Sequence, residues 1–219
     1  MQIQYYGHSC FRLKGKRGMV VMDPYDDYVG LSLPNISADI VTISHDHQDH
    51  NQASVIRGTA RRDQPFVIKQ PGEYEVGGIS VFGVGAFHDE NQGVERGKNI
   101  IFTVLIDGVR VCHLGDLGHE IKEDLIAEIG MIDVLLLPVG GVYTIDPKQA
   151  VKVARSLEPA IVIPMHYQTD QHEQKVFGEL STLADFLKEY SAEPETVNKL
   201  SLDQSRLPEE MELVVLSKS

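Results

Sequence analysis

Short apolar runs rich in β-branched and aromatic residues open the chain, each closed by turn residues. Residues 3–6, 9–13 and 19–22 predict three strands, with Gly15 and Gly18 turning the chain between the second and third. Asp23-Pro24 ends the third. A loop over 30–37, holding Pro34 and Asn35, leads to a further apolar run at 39–42, and 50–57 is expected to form a short helix stopped by Gly58. Runs at 65–70, 73–76, 79–84, 99–107 and 109–113 are broken by Pro71-Gly72, Gly77-Gly78 and Asp107-Gly108, which predicts hairpins.

From His119 onward the pattern alternates between helix and strand. Helices are expected over 120–129, 147–157 with Asp146 as N-cap, and 180–190; buried strands over 134–137 and 161–163; a late edge strand over 212–216, preceded by a polar, linker-like stretch. Antiparallel hairpins followed by β-α-β units imply an α/β fold in which two mixed sheets pack face to face between helical layers, an αββα sandwich. Loops from both halves then meet along one edge, where residues distant in sequence converge.

At 219 residues the chain can bury a core without disulfide staples, and a single domain over 1–219 is expected. Lys and Arg total 20 against 32 Asp and Glu, a formal net charge of −12. That balance is poor for gripping a phosphate backbone, so nucleic acid is not an expected partner. Cys10 and Cys112 lie inside apolar runs with no Cys-x-x-Cys pair, which predicts reduced thiols. The first residues lack the basic start and apolar stretch of a secretory signal, and no run reaches the roughly eighteen apolar residues of a membrane span. A soluble cytoplasmic protein acting on a small molecule is expected, with homo-oligomers left open.

The densest chemistry follows the run at 39–42. His45-Asp46-His47-Gln48-Asp49-His50 places three imidazoles and two carboxylates at ligand positions or between them, on a loop that begins where a strand stops. Imidazole nitrogen and carboxylate oxygen suit zinc and its neighbours in the first transition row. The spacing suggests two ions: His45 and His47 point the same way from a nearly extended loop, while Asp49 and His50 turn toward a second. Asp46 reads as a group behind the ligands or in solvent, within reach of a substrate. The strand-then-loop arrangement recurs at His88, at Asp116 and at His166, and a carboxylate on the glycine-flanked turn at 115–118 can approach two cations.

Asp49, His8 and His119 are the catalytic candidates, His8 and His119 as proton donors or substrate contacts at predicted strand ends. Tyr143 and Tyr167 occupy similar places, although packing is the commoner role for such residues. Arg96 and Lys98 form the only compact positive pair near a candidate ligand and suit a substrate phosphate or carboxylate. Gly140-Gly141 suits either a close approach of backbone to substrate or a tight turn. His113, inside a strand, reads as structural, and His172, between Gln171 and Glu173, as a solvated loop residue.

The order His45-x-His47-x-Asp49-His50, then His88, Asp116 and His166, with Asp23-Pro24 upstream, resembles the metallo-β-lactamase superfamily, an αββα sandwich with a dinuclear site. The resemblance runs from Gly7-His8 to about His166-Tyr167. It implies that His45, His47 and His88 hold one ion, that Asp49, His50 and His166 hold the other, that Asp116 bridges both, and that Asp23 braces the histidine loop from behind. Gly7-His8-Ser9, 96–99, 113–119, 138–141 and 164–167 are similar to the small stand-alone hydrolase-like branch related to ascorbate-6-phosphate lactonase. The resemblance implies two divalent cations, zinc first with manganese or iron as alternatives, and a hydroxide generated between them that attacks an ester, lactone or phosphoester. An iron-dependent, dioxygenase-like redox enzyme on the same fold and a non-catalytic metal-binding protein are the competing readings; His47 stands where flavodiiron relatives carry glutamate, which disfavours that oxygen-reducing branch.

Overall fold

The computed structural model describes residues 1–219. Strands β1 (Gln2–Gly7), β2 (Cys10–Lys14), β3 (Met19–Met22), β4 (Ile40–Thr42) and β5 (Phe66–Ile68) lie side by side in that order. The first three are antiparallel; β3, β4 and β5 are parallel. A second sheet follows the order of the chain: β6 (Gly72–Val76), β7 (Ile79–Phe87), β8 (Lys98–Ile106) and β9 (Val109–His113) as antiparallel neighbours, then β10 (Val134–Pro138) and β11 (Ile161–Met165) added in parallel. The later hairpins and the crossover units of the sequence thus become one mixed sheet.

Period-two alternation decides what each face of the first sheet meets. Ile3, Tyr5, Phe11, Leu13, Val20, Met22 and Ile40 join the residues of the second sheet in one core, while their neighbours Tyr6, Cys10, Val21 and Val41 belong to a separate cluster on the other face. Helices α1 (Glu123–Ile129), α2 (Pro147–Leu157), α3 (Gln174–Phe177) and α4 (Leu183–Tyr190) are few and unevenly placed. α2 and α4 pack on each other and contribute Ala150, Val151, Val153, Ala154, Leu157 and Phe186 to the main core, which buries β10 and β11 on both faces. The outer face of the first sheet is covered by Tyr25, Val29, Leu31 and Ile36 of an irregular loop, with Phe177 and Leu180, so the helical layer expected there is mostly loop.

α2 starts as the sequence predicts, with the Asp146 carboxylate accepting from the Gln149 N–H in a capping box and Pro147 in the first turn. The helix expected over 50–57 is absent. Only Ala53–Val55 makes a 3-10 turn, because loops claim the backbone on either side: Gln52 N–H donates to Pro24 O, Arg57 N–H to Ile36 O, and Ala38 N–H to Arg57 O. α1 begins three residues later than expected and α4 begins at Leu183, capped by Thr182.

The polar tail is no linker. It supplies β12 (Thr196–Val197), β13 (Leu200–Ser201), β14 (Glu212–Leu213) and β15 (Val215–Leu216); β13 extends the first sheet beside β1, β14 extends the second beside β11, and β12 pairs with β15. The single edge strand expected over 212–216 is therefore split between two partners. Both cysteines are free and buried, and burial pushes the Cys112 thiol up to about 12. No helix is long and apolar enough to cross a membrane.

Candidate metal centre

Six loops at strand ends build the centre. His8 follows β1, Asp23 follows β3, residues 45–50 follow β4, His88 follows β7, Asp116 follows β9 and His166 follows β11. His8, Asp23 and His166 have φ of 54°, 44° and 53°, a left-handed conformation that non-glycine residues adopt at a cost and that turns each side chain sharply out of its strand. The His166 N–H donates to His8 O at 2.8 Å, tying the two sheets together beneath the site.

The expected ligands come together in two groups. Donor atoms of His45, His47 and His88 lie within 4.8 Å of one another, as do those of His8, Asp49, His50 and His166. Asp116 stands between them: its Oδ2 is 3.3 Å from His88 Nε2, 3.3 Å from His166 Nε2 and 3.8 Å from His45 Nε2, and its Oδ1 is 3.3 Å from His50 Nε2. The turn carrying Asp116 is locked by Asn99, whose Oδ1 accepts from the Asp116 N–H at 3.0 Å while its Nδ2 donates to Leu114 O. Gly115, at φ 56°, leaves room for this, since a Cβ there would fall 2.3 Å from Asn99 Oδ1. Gly140 serves the site in the same way, because a Cβ would meet His166 O at 2.1 Å, whereas Gly141, at φ 63°, turns the chain with only ordinary contacts around it.

Asp23 sets the direction of two imidazoles. Its carboxylate accepts from the Ser44 N–H, from the Ser44 hydroxyl and from His50 Nδ1 at 2.8 Å. Since the Ser44 hydroxyl proton is given to Asp23, Ser44 Oγ is left to accept from His45 Nδ1 at 2.9 Å. The His45 ring then presents Nε2 as a bare lone pair toward Asp116, and the His50 ring aims its Nε2 there too, ready to ligate once a cation displaces the proton it carries.

The donors fit divalent cations. His45 Nε2, His50 Nε2, His166 Nε2 and Asp116 Oδ1 are buried and have no hydrogen-bond partner, a cost that a cation among them removes. Burial, helped by the nearby His50, lowers His45 to about 3, and burial also lowers His88, so both are neutral and able to ligate. Burial opposes charge on His50 too, but Asp116 and Asp49 outweigh it and raise its pKa well above the ordinary value. Burial would raise the Asp116 and Asp49 carboxyls, yet the imidazoles around them hold both well below the usual carboxylate range. The carboxylates thus call for positive charge at the centre, and without a metal His50 supplies it.

Other candidates are sorted by the fold. His8 is fully buried with Nε2 3.1 Å from Asp49 Oδ2, beside the ligands. His119 is not: its Nε2 accepts from the Phe87 N–H and its Nδ1 donates to Glu120 O, and it lines a separate hollow with Lys122 and Gln149. The role of proton donor expected for it is corrected to a backbone-bracing one. Tyr167 is also turned away, packing against Tyr5 and lining a cavity behind His8. Tyr143 does line the groove over the cluster, with Tyr28, Arg96 and Phe177, but its hydroxyl is committed to Val176 O at 2.9 Å, so it offers its ring rather than a proton. Asp46 is exposed at the groove and accepts from Asn51 Nδ2. Lys98 lines a neighbouring cavity together with Arg96. His113 is structural, as expected, donating from Nε2 to Ser9 O and accepting at Nδ1 from the Gly115 N–H.

Sequence reasoning missed His172. Far from solvated, it is 4 % exposed and reaches His8 with its Nε2. Its polar neighbours Gln171 and Glu173 carry no local signal of burial.

Three comparisons bear on this geometry. The family described as the beta-lactamase superfamily domain matches residues 2–166. A UPF0173 metal-dependent hydrolase of Archaeoglobus fulgidus is 33% identical over 77% of this chain and 84% of its own. Among solved structures, a proposed zinc-dependent hydrolase of the metallo-β-lactamase superfamily from Thermotoga maritima is 41% identical, with a TM-score of 0.79 over 98% of this chain and 97% of that one. A metallo hydrolase from Ignicoccus hospitalis, 22% identical with a TM-score of 0.67 over 97% and 94%, shares the fold.

Proposed function

The chain belongs to the metallo-β-lactamase superfamily and groups with its metal-dependent hydrolases; from that premise we propose that it uses two divalent cations, zinc first with manganese or iron as alternatives, to hydrolyse an ester, lactone or phosphoester of a small molecule. The observation that carries this reading is the place of Asp116, whose two oxygens lie within 3.8 Å of donors from both groups. His45, His47 and His88 would hold one ion, Asp49, His50 and His166 the other, and Asp116 both. When bound, such a pair lowers the pKa of a water from about 15.7 toward about 7 and polarises the bond under attack.

The rest falls to this chain's own residues. Asp23 and Ser44 hold the His45 and His50 rings so that Nε2 faces inward, which fixes the geometry before any ligand arrives. His8 holds Asp49 through Oδ2. Tyr28, Tyr143 and Phe177 wall a groove of about 460 Å³ over the cluster, a size that suits a small molecule, and their rings exclude water from part of it.

A panel of lactones, phosphodiesters and thioesters, assayed with zinc or manganese on the native chain and on His47→Ala, tests the proposal. Turnover of at least one class that collapses in the variant is expected. Turnover unaffected by the substitution, no turnover of any class, or bound iron with oxygen uptake on reduced-sulfur compounds would overturn it.

A further inference from the structure

A second cavity, of about 590 Å³, lies beside the groove and shares His47, Asp46 and Arg96 with it; His45 also lines its wall. Four segments meet there: the 44–47 loop, residues 69–71 between β5 and β6, residues 85–87 of β7, and residues 96–100 at the start of β8. Its charge reverses that of the chain. Against a net −12 overall, Lys69, Arg96 and Lys98 face this cavity and Asp46 is the one carboxylate lining it. The ion pair made by any of the three is Arg96 with the exposed Glu95, at 3.8 Å, so the two lysines remain free to meet a ligand.

The floor of the cavity is open for a separate reason. β6 pairs with β7 only as far as Gly72 and Gly83, and Gly85, further along β7, is exposed with no strand on that side. A Cβ at Gly85 would meet nothing nearer than Pro71 Cγ at 4.0 Å, and its φ is not in the left-handed region. The backbone does not demand glycine here, and the missing side chain leaves space for a ligand.

We propose that this cavity receives an acid group, a carboxylate or a phosphate, of a substrate whose scissile bond lies at the metal cluster, so that the enzyme acts on small anionic esters or lactones rather than on neutral ones. The inference rests on the hydrolase reading. Three cations from two segments line the cavity, and one of them, Arg96, stands in the wall it shares with the groove, so one molecule can place its acid among them and its reactive carbonyl or phosphoryl group beyond His47. An arginine guanidinium presents paired N–H donors to such an acid, and the lysines add point charge. The volume matches that of small-molecule sites.

The test is a nuclear magnetic resonance titration of the zinc-loaded, full-length protein with phenyl phosphate, phenylacetate and the neutral 2-phenylethanol, following the backbone amides of Lys69, Gln70, Lys98 and Asn99. Saturable shifts with one or both acids and none with the alcohol are expected; which acid binds more tightly distinguishes phosphate from carboxylate as the preferred group. Lys69→Ala and Lys98→Ala should each weaken binding by roughly tenfold, and Gly85→Leu, which fills the floor without altering charge, should abolish it. Equal shifts with the alcohol, no saturation, or acid binding unchanged in the lysine variants, as an acid seated on the metals alone would give, would overturn the inference. The hydrolase reading fails differently, by loss of turnover with this binding intact.

Discussion

His172 Nε2 lies 3.3 Å from His8 Nδ1, and this contact has a direction. The Thr169 N–H can only donate, and it points at His172 Nδ1 at 3.2 Å. The His172 proton therefore sits on Nε2 and is given to His8 Nδ1, which leaves the His8 proton on Nε2 to be donated to Asp49 Oδ2 at 3.1 Å. Burial lowers His172 to about 4 and His8 to about 3, so both rings are neutral and the chain of donors is fixed near pH 7. His8, although close to His50 and His166, is thereby set to donate to Asp49 rather than to offer a lone pair to a cation.

Replacing His172 by Phe removes that instruction. The His8 ring is then free to present a lone pair at Nε2, and Asp49 loses a fixed partner. Zinc affinity at the Asp49 group should fall by about tenfold, while the His45 group is unaffected. The imidazole nitrogen spectrum of the zinc-loaded protein reads the tautomer directly: a His8 Nε2–H in the native chain, lost in the variant. An identical spectrum and identical zinc affinity would reduce His172 to a packing residue.

Asp23→Asn keeps the shape but removes the anion that directs His45, through Ser44, and His50. Zinc affinity should drop by about 10–100-fold, measured by competition with a chelator. Thermal unfolding of the metal-free variant separates this from a loss of fold: affinity should fall more than stability does, because burial of an uncharged amide costs less than burial of a carboxylate.

Metal binding and protons oppose each other at His50. Its folded pKa is raised, so its contribution to the stability of the metal-free protein is present in full below the unfolded value and is lost as pH rises through the folded one. Zinc must displace that proton. Calorimetry in buffers of different ionisation heat should show proton release on zinc binding and weaker binding as pH falls; affinity independent of pH would show that His50 is not a ligand.

Asp89 organises the loop that delivers Arg96. Its carboxylate accepts from the N–H groups of Asn91, Gly93, Glu95 and Arg96 at 2.8–3.1 Å. Desolvation favours the neutral acid, but these four donors prevail and lower its pKa, so the anchoring is present above the unfolded carboxyl value and fades as pH falls through the folded one. In Asp89→Ala, hydrogen exchange at those four amides should accelerate by about tenfold or more, with exchange in β10 and β11 unchanged. Equal protection in the variant would mean that the loop holds itself.

The local half of this protein is written along the chain. Alternation placed Ile3, Tyr5, Phe11 and Leu13 on one face and Tyr6 and Cys10 on the other, and the Asp146-Pro147 start of α2 could be read in place, because side-chain period and helix capping depend on neighbours a few residues away. The spacing within 45–50 likewise marked the loop whose side chains gather at the cluster. Tertiary structure alone decided the rest. His172 meets His8 across 164 residues, Tyr167 and His119 turn from the groove while Lys69 faces the cavity beside it, and residues 50–57 give their hydrogen bonds to the 24–38 loop instead of to a helix. A polar side chain or a backbone amide in a loop satisfies itself with whatever packing brings near, and no pattern along the chain encodes which distant segment that will be.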